Sequence, residues 1–330
     1  MYLEWVIQLN NFFKQKNKTE KEITREIKKA YKRVANNLIK RLALVNPDTM
    51  TYDYLRQTAK YLEKEYKKLN KRLNKDIEKA IISTVEGYTQ SQVEFYSDLC
   101  KPLSSSFEDM FSKVNKQVLD NVITGKMYGD NIKLSDRLWS NHNKTIKTIN
   151  DILTDGFISG KGSKEIAKDL EVYCNPNYLK EYEKFTIHPK SKNKVEFNSY
   201  RLANTYINHA YQEATRQSAK HNPFVEKVEW LSGTDDNVCD LCKERNGKKF
   251  DKNKVPLDHI LGRCTLLPVI EDDLEDIARE LKGWVNGDKN EKLDKWFEAW
   301  EVKRWYQKIG GLYERTTIFR LVQRGSCKIY

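Results

Sequence analysis

Four residues in the last third of the chain could hold a metal ion. Cys239 and Cys242 bracket a Cys-Asp-Leu-Cys tetrapeptide, and His259 and Cys264 follow in Asp258-His-Ile-Leu-Gly-Arg-Cys264. A C-x-x-C turn lets both sulfurs face one point, and a second ligand pair from a later loop completes a tetrahedral Zn site of Cys3His type. The flanks suit such a knuckle: a strand-like segment leads in, Gly247 supplies a turn, and Pro256 precedes the second pair. Two other readings of the same residues stay open. The thiols and the imidazole could be neighbours in sequence only, or the C-x-x-C could be redox-active, although it lacks the βαβ setting of such motifs. Catalytic zinc would need an open coordination position and a carboxylate base. Asp236, Asp240 and Asp258 are at hand, but nothing in their spacing selects one.

The elements that must carry this cluster are mostly helical. From Glu20 to about Leu44, Ile23, Ile27, Ala30, Tyr31, Val34, Leu38 and Leu42 recur at helical spacing, with Lys and Arg on the other faces. Asn46-Pro47-Asp48 then turns the chain, and Leu55, Ala59, Leu62, Tyr66, Leu69 and Leu73 follow in steps of four and three, as in an antiparallel hairpin or short coiled coil. The pattern continues to Tyr96 and breaks at Cys100-Lys101-Pro102 and Ser104-Ser105-Ser106. Further helices are expected over 107–122, 134–157, 164–170 (with Ser163 as N-cap), 201–220, 274–285 and 293–305, with a loop over 174–198. Only Val225 to Leu231 and Gly247 to Phe250 read as strands. The expected fold is therefore mainly α with a small α+β module: a long N-terminal helical hairpin, a helical body and a zinc-knuckle-like C-x-x-C…H-x4-C hairpin. Three consecutive regions are expected, 1–125, 126–270 and a C-terminal helical tail over 271–330.

The totals bound the function. Hydrophobic residues make up 39% and charged residues 32%, too apolar for wholesale disorder and in keeping with long solvent-facing helices. The formal charge is +12, and residues 1 to 80 hold 20 Lys and Arg against 10 Asp and Glu, so +10 of it lies in the first quarter. This favours polyanionic partners such as nucleic acid. No apolar run approaches a membrane span, and the N-terminus lacks a charged region before its apolar stretch, so neither membrane insertion nor export by a signal peptide is expected. Six Cys are too few for a disulfide scaffold in a chain of 330 residues; a reducing compartment is expected, with Cys100, Cys174 and Cys327 as ordinary thiols.

The segment from Tyr128 to Pro268 resembles the phage Mu F-like head morphogenesis, or minor head, proteins. The likeness is carried by Tyr128-Gly129, Leu134-Ser-Asp-Arg-Leu-Trp139, Ile152, Gly156, Gly160 and Ser163-Lys-Glu-Ile-Ala-Lys-Asp-Leu170. It continues through Arg201, Asn204, Thr205, Ala210 and Ala214, then Trp230, Asp235-Asp236-Asn-Val-Cys239-Asp-Leu-Cys242, Gly247, Phe250, Pro256, His259, Arg263-Cys264 and Pro268. The family commonly reads His-Pro-x-Cys-Arg-Cys in its second half, whereas Gly262 stands here at the first of those two Cys. The resemblance implies a minor capsid protein of a tailed phage or prophage. Such a protein is packaged in a few copies inside the prohead near the portal, after assembly in the host cytoplasm. It meets portal and other capsid proteins and the DNA, and aids head assembly, genome packaging or delivery.

The basic N-terminal helices lie outside that likeness. Lys28, Lys29, Lys32 and Arg33, and then Lys67, Lys68, Lys71, Arg72 and Lys75, could neutralise phosphates of double-stranded DNA without reading bases. They could equally be solvated faces, balanced by Glu22, Glu26, Glu63 and Glu65. Two competing functions are a zinc-dependent nuclease, for which no second His stands near His259, and a membrane-surface or toxin-like effector. No catalytic residue is assigned.

Overall fold

The computed structural model describes residues 2–43, 52–174, 195–233 and 238–299. It is mainly helical, with one small antiparallel sheet. The long helices α1 (Tyr2–Ala43) and α2 (Tyr52–Leu99) come first, followed by α3 (Ser104–Thr124), α4 (Leu134–Ile158), α5 (Ser163–Cys174) and α6 (Val195–His221). Then come β1 (Lys227–Leu231), the short α7 (Asp240–Arg245), β2 (Lys249–Asp251), β3 (Thr265–Val269) and α8 (Leu274–Val285). Residues 291–299 are again helical.

Of the apolar stripes predicted for the first two helices, Ile23, Ile27, Ala30, Tyr31 and Val34 on α1, and Leu62, Tyr66, Leu69, Leu73, Ile77, Ile81 and Val85 on α2, are buried and Ala59 is half-buried, while the side chains of Leu38, Leu42 and Leu55 lie outside the described residues. Helix α1 begins far upstream of Glu20, and Leu9 and Phe12 are buried as well. The Ser104–Ser106 stretch is not a break but the first turn of α3, entered through a single 3-10 turn over Lys101–Leu103. Pro102 explains the arrangement, since a proline is tolerated in a first turn where its missing N–H has no partner to lose. At the other end of α3, Gly125 takes a left-handed φ of 80°, and a Cβ there would stand 2.2 Å from the Ile132 carbonyl oxygen. Helix α6 starts six residues before the expected Arg201, and Phe157, expected on the inner face of α4, is 42% exposed. The expected turn at 46–48, most of the 174–198 loop and the tail beyond 299 lie outside the described residues, as do Asp235, Asp236 and Cys327.

The described chain forms two compact units, each assembled from separated stretches. One takes Met1–Lys16, Ile82–Asp120 and Asn208–Tyr330; the other takes Asn17–Ile81 and Asn121–Ile207. In the second unit α1 and α2 run antiparallel, with Tyr31 against Tyr66 and Arg72 reaching Glu26. In the first unit Phe12, Tyr88 and Tyr211 form an aromatic cluster with centroids 5.5 to 5.6 Å apart, Tyr88 meeting both other rings edge to face.

The sheet has the order β2-β1-β3, all antiparallel, and belongs to the first unit. Strand β3 was not expected from the sequence, because Pro268 lies in it opposite Val228. It is admitted there because β3 is an edge strand, where a missing backbone donor costs no ladder bond. Trp230 is fully buried and forms a small core with Ala219, Val225, Val228, Cys242, Val255, Cys264 and Leu266. Helix α6 is tied to this sheet by the Tyr211 hydroxyl, which donates to the Leu266 carbonyl at 2.5 Å. Tyr211→Phe keeps the ring packing but strands that buried carbonyl. It should cost roughly 1 to 2 kcal/mol, read as a lowered urea midpoint with unchanged helix content.

Candidate metal centre

The C-x-x-C pair sits where β1 gives way to α7. Cys239 occupies the N-cap position with an extended backbone, and its carbonyl accepts the Lys243 N–H at 2.9 Å. This turn leaves Cys239 exposed while Cys242 points into the Trp230 core. Helix α7 lasts only six residues and ends before Gly247, whose φ of 74° lets the chain double back so that its N–H reaches the Trp230 carbonyl at 2.8 Å. Arg245 lies over the Trp230 ring, 5.0 Å from its centroid.

The second pair is carried by the loop between β2 and β3. His259 Nε2 lies 3.4 Å from Cys239 Sγ. Its Nδ1 is 2.9 Å from the Ile260 carbonyl, which can only accept, so Nδ1 carries the proton and the Nε2 lone pair faces the thiols. That is the orientation a metal-binding imidazole needs, set by an outer hydrogen bond. The ligand atoms of Cys239, Cys242 and His259 all lie within 4.8 Å of one another. So do those of Cys242, Asp258 and Cys264, making five residues in one possible metal-binding cluster. A tetrahedral zinc centre with bonds of about 2.0 to 2.3 Å spaces its donors about 3.5 to 3.8 Å apart, so each group of three would have to draw together by at most about 1 Å per pair to hold one.

The thiols differ in electrostatics. The Cys242 backbone N–H, directed at Cys239, lowers the Cys239 thiol from its ordinary value, and His259 adds to this. Burial pushes Cys242 and Cys264 upward. The Ile260 carbonyl raises His259.

The loop is held by groups the sequence did not single out. Asp258, there only one of three acidic neighbours, has a completely buried side chain. Its Oδ2 accepts from Asn208 Nδ2 at 3.1 Å, the Cys264 N–H at 3.1 Å and Gln212 Nε2 at 3.4 Å, while Oδ1 accepts the His259 N–H at 2.8 Å. Gln212 also donates to the Cys264 carbonyl at 2.9 Å and accepts the Asp258 N–H at 3.2 Å, gripping both ends of the loop. Asn208 and Gln212 are four residues apart on α6, hence on one face. That spacing was the available signal, but it names no target until the loop is in place.

The nine predicted phosphate-binding cations are exposed and all lie in the unit that contains 17–81. Lys29 pairs with Glu26 at 2.9 Å, Lys68 with Glu65 at 2.8 Å, and Arg72 with both Glu26 and Asp76 at 3.4 and 3.5 Å. Lys67 lies over the exposed Trp139 ring at 5.7 Å. Among the described residues, no helix is long and apolar enough to cross a membrane.

Comparison with family models, curated proteins and solved structures finds no match.

Beside Asn208 on α6, burial pushes His209 down to about 4, against the pull of Asp258. An unfolded histidine takes up its proton below about pH 6.5, whereas His209 stays neutral in the folded chain down to about pH 4. Stability should therefore be unaffected by this group above pH 6.5 and fall as pH drops from 6.5 to 4, by at most roughly 3 kcal/mol. Urea unfolding with a chelator present, at pH 7 and pH 4.5, should show that loss, and His209→Gln should flatten it.

Proposed function

We propose that the chain is a non-enzymatic minor head protein of a tailed phage or prophage, in which a structural zinc ion closes the knuckle and the basic hairpin holds double-stranded DNA. The observation that carries the zinc reading is the convergence of Cys239, Cys242 and His259 across about twenty residues of chain, with the imidazole lone pair turned to the thiols. Cys242 also adjoins the Cys264 and Asp258 pair, from which a fourth ligand comes. When bound, zinc would join the C-x-x-C turn to the loop that α6 already pins, adding stability that the small core of the sheet does not supply. The minor-head reading rests on the resemblance over Tyr128 to Pro268, and its partners are then the portal, other capsid proteins and the packaged genome. Mass spectrometry of purified proheads and virions with copy counting should find a few copies per particle; absence from both would sink it. Turnover of plasmid DNA by the pure protein with zinc or magnesium would replace it with the nuclease reading.

Metal content gives a second check. Cys242→Ser should lower bound zinc to well below one per chain and raise proteolysis between Trp230 and Pro268, while helix content stays unchanged. Full zinc retention in this variant would remove the knuckle assignment.

For DNA, the cations least tied to local carboxylates are the informative ones. Lys28 and Lys32 on α1, and Lys71 and Lys75 on α2, each repeat one helical turn apart. Binding by this face should be independent of sequence and weaken steeply with salt. Changing these four to Gln should lower the slope of log K against log salt by up to about 3.6, at roughly 0.9 for each phosphate that is no longer neutralised. An unchanged slope would mean that these lysines merely solvate the hairpin.

A further inference from the structure

Gly262 occupies the position where the resembled family commonly has a cysteine, and the structure shows what fills that space. A Cβ built on Gly262 would lie 2.1 Å from both Cγ and Oδ2 of Asp258. Any side chain at 262 and the Asp258 carboxylate therefore exclude one another. The carboxylate is not merely tucked away there. Its Oδ2 is saturated by three donors, from Asn208, Gln212 and the Cys264 backbone, whereas Oδ1 accepts one backbone N–H and the Cys242 thiol, whose proton leaves on metal binding and frees that lone pair. That oxygen lies 4.0 Å from Cys242 Sγ and 3.9 Å from His259 Nε2, close to the donor spacing of a tetrahedral centre. Neither Asp258 nor Cys264 groups with all three of Cys239, Cys242 and His259, but the Asp258 oxygen stands about 4 Å from two of them. The Cys264 thiol is packed in the apolar core with Trp230 and Leu266, a core that Cys242 shares.

We infer that Asp258 Oδ1, and not Cys264 Sγ, is the fourth ligand, so that the centre is a two-thiolate, one-imidazole, one-carboxylate site for a divalent transition metal. The inference rests on the metal reading above and names the donor that reading leaves open. Its physical basis is preorganisation. The Asp258 side chain is already fixed by Asn208, Gln212 and two backbone amides with Oδ1 beside Cys242 and His259, so recruiting it asks for the exposed Cys239 thiol to close in and no new rotamer of the carboxylate. Recruiting Cys264 would draw its sulfur out of the packed core beside Trp230. Gly262 is the residue that permits this, because it alone leaves room for the carboxylate.

Cobalt(II) titrated into the full-length, reduced chain reads the ligand set directly, since the sulfur-to-metal charge-transfer band scales with the number of bound thiolates. The band should have two-thiolate intensity and be unchanged in Cys264→Ser. Asp258→Asn should weaken cobalt binding at least about tenfold, the lower bound seen when even an outer partner of a ligand is lost. A band that falls by one third in Cys264→Ser would overturn the inference and leave the metal centre standing with Cys264 as ligand. Failure of the wild-type chain to take up cobalt at all would overturn the metal reading itself, and this assignment with it. Cys264→Ser changes one buried atom, so the spectral test remains decisive even where Asp258→Asn disturbs the loop.

Discussion

The carboxylate of Asp258 is the point through which the loop between β2 and β3 acquires its shape. Buried charge is costly unless surrounded by donors. Here four N–H groups, two from α6 side chains and two from the loop backbone, converge on its two oxygens. Gln212 reinforces the arrangement by bonding to the backbone at Asp258 and at Cys264, so the intervening residues are pinned at both ends. With the loop pinned, the His259 ring and the two C-x-x-C thiols come together. Leu261 pays locally for this tight path with a left-handed φ of 58°.

The same unit shows why a helix must take part in building a site that reads in sequence as a local knuckle. Three short strands bury one tryptophan and a few aliphatic residues, far less apolar surface than an independent domain requires. Helix α6 supplies the rest. Its Ala219 enters the Trp230 core, its Tyr211 hydroxyl covers a carbonyl of the edge strand β3, and its Asn208 and Gln212 face Asp258. One helix thus provides packing, hydrogen bonding and loop placement together.

The hairpin of the other unit follows a different logic. Its inner stripe of Ile, Leu and Tyr is buried without charge, and the cations are driven to the outer faces, where carboxylates at Glu26, Glu65 and Asp76 neutralise some of them. Such exposed pairs contribute little to stability. Their effect is on charge distribution: they soften the positive face at Lys29, Lys68 and Arg72 and leave Lys28, Lys32, Lys71 and Lys75 among the exposed cations.

The sequence by itself determined most of the helices and pointed to the thiols and imidazole that the fold brings together. Steps of three and four in Ile23 to Val34 and Leu62 to Val85 can satisfy only one face of a helix, and a Cys-x-x-Cys turn aims its sulfurs without help from distant residues. What it could not show were features that depend on partners far along the chain. Strand β3 was hidden because Pro268 argues against a strand unless the edge position is known. The assembly of each compact unit from separated stretches was hidden because the periodicity of a long helix does not mark which neighbour covers each turn. Asp258 looked like one more loop carboxylate beside Asp240. Only the tertiary structure brought Asn208 and Gln212 to it across some fifty residues and showed that the missing side chain at Gly262 leaves room for it, because burial and donor count are properties of the packed state and not of the local sequence.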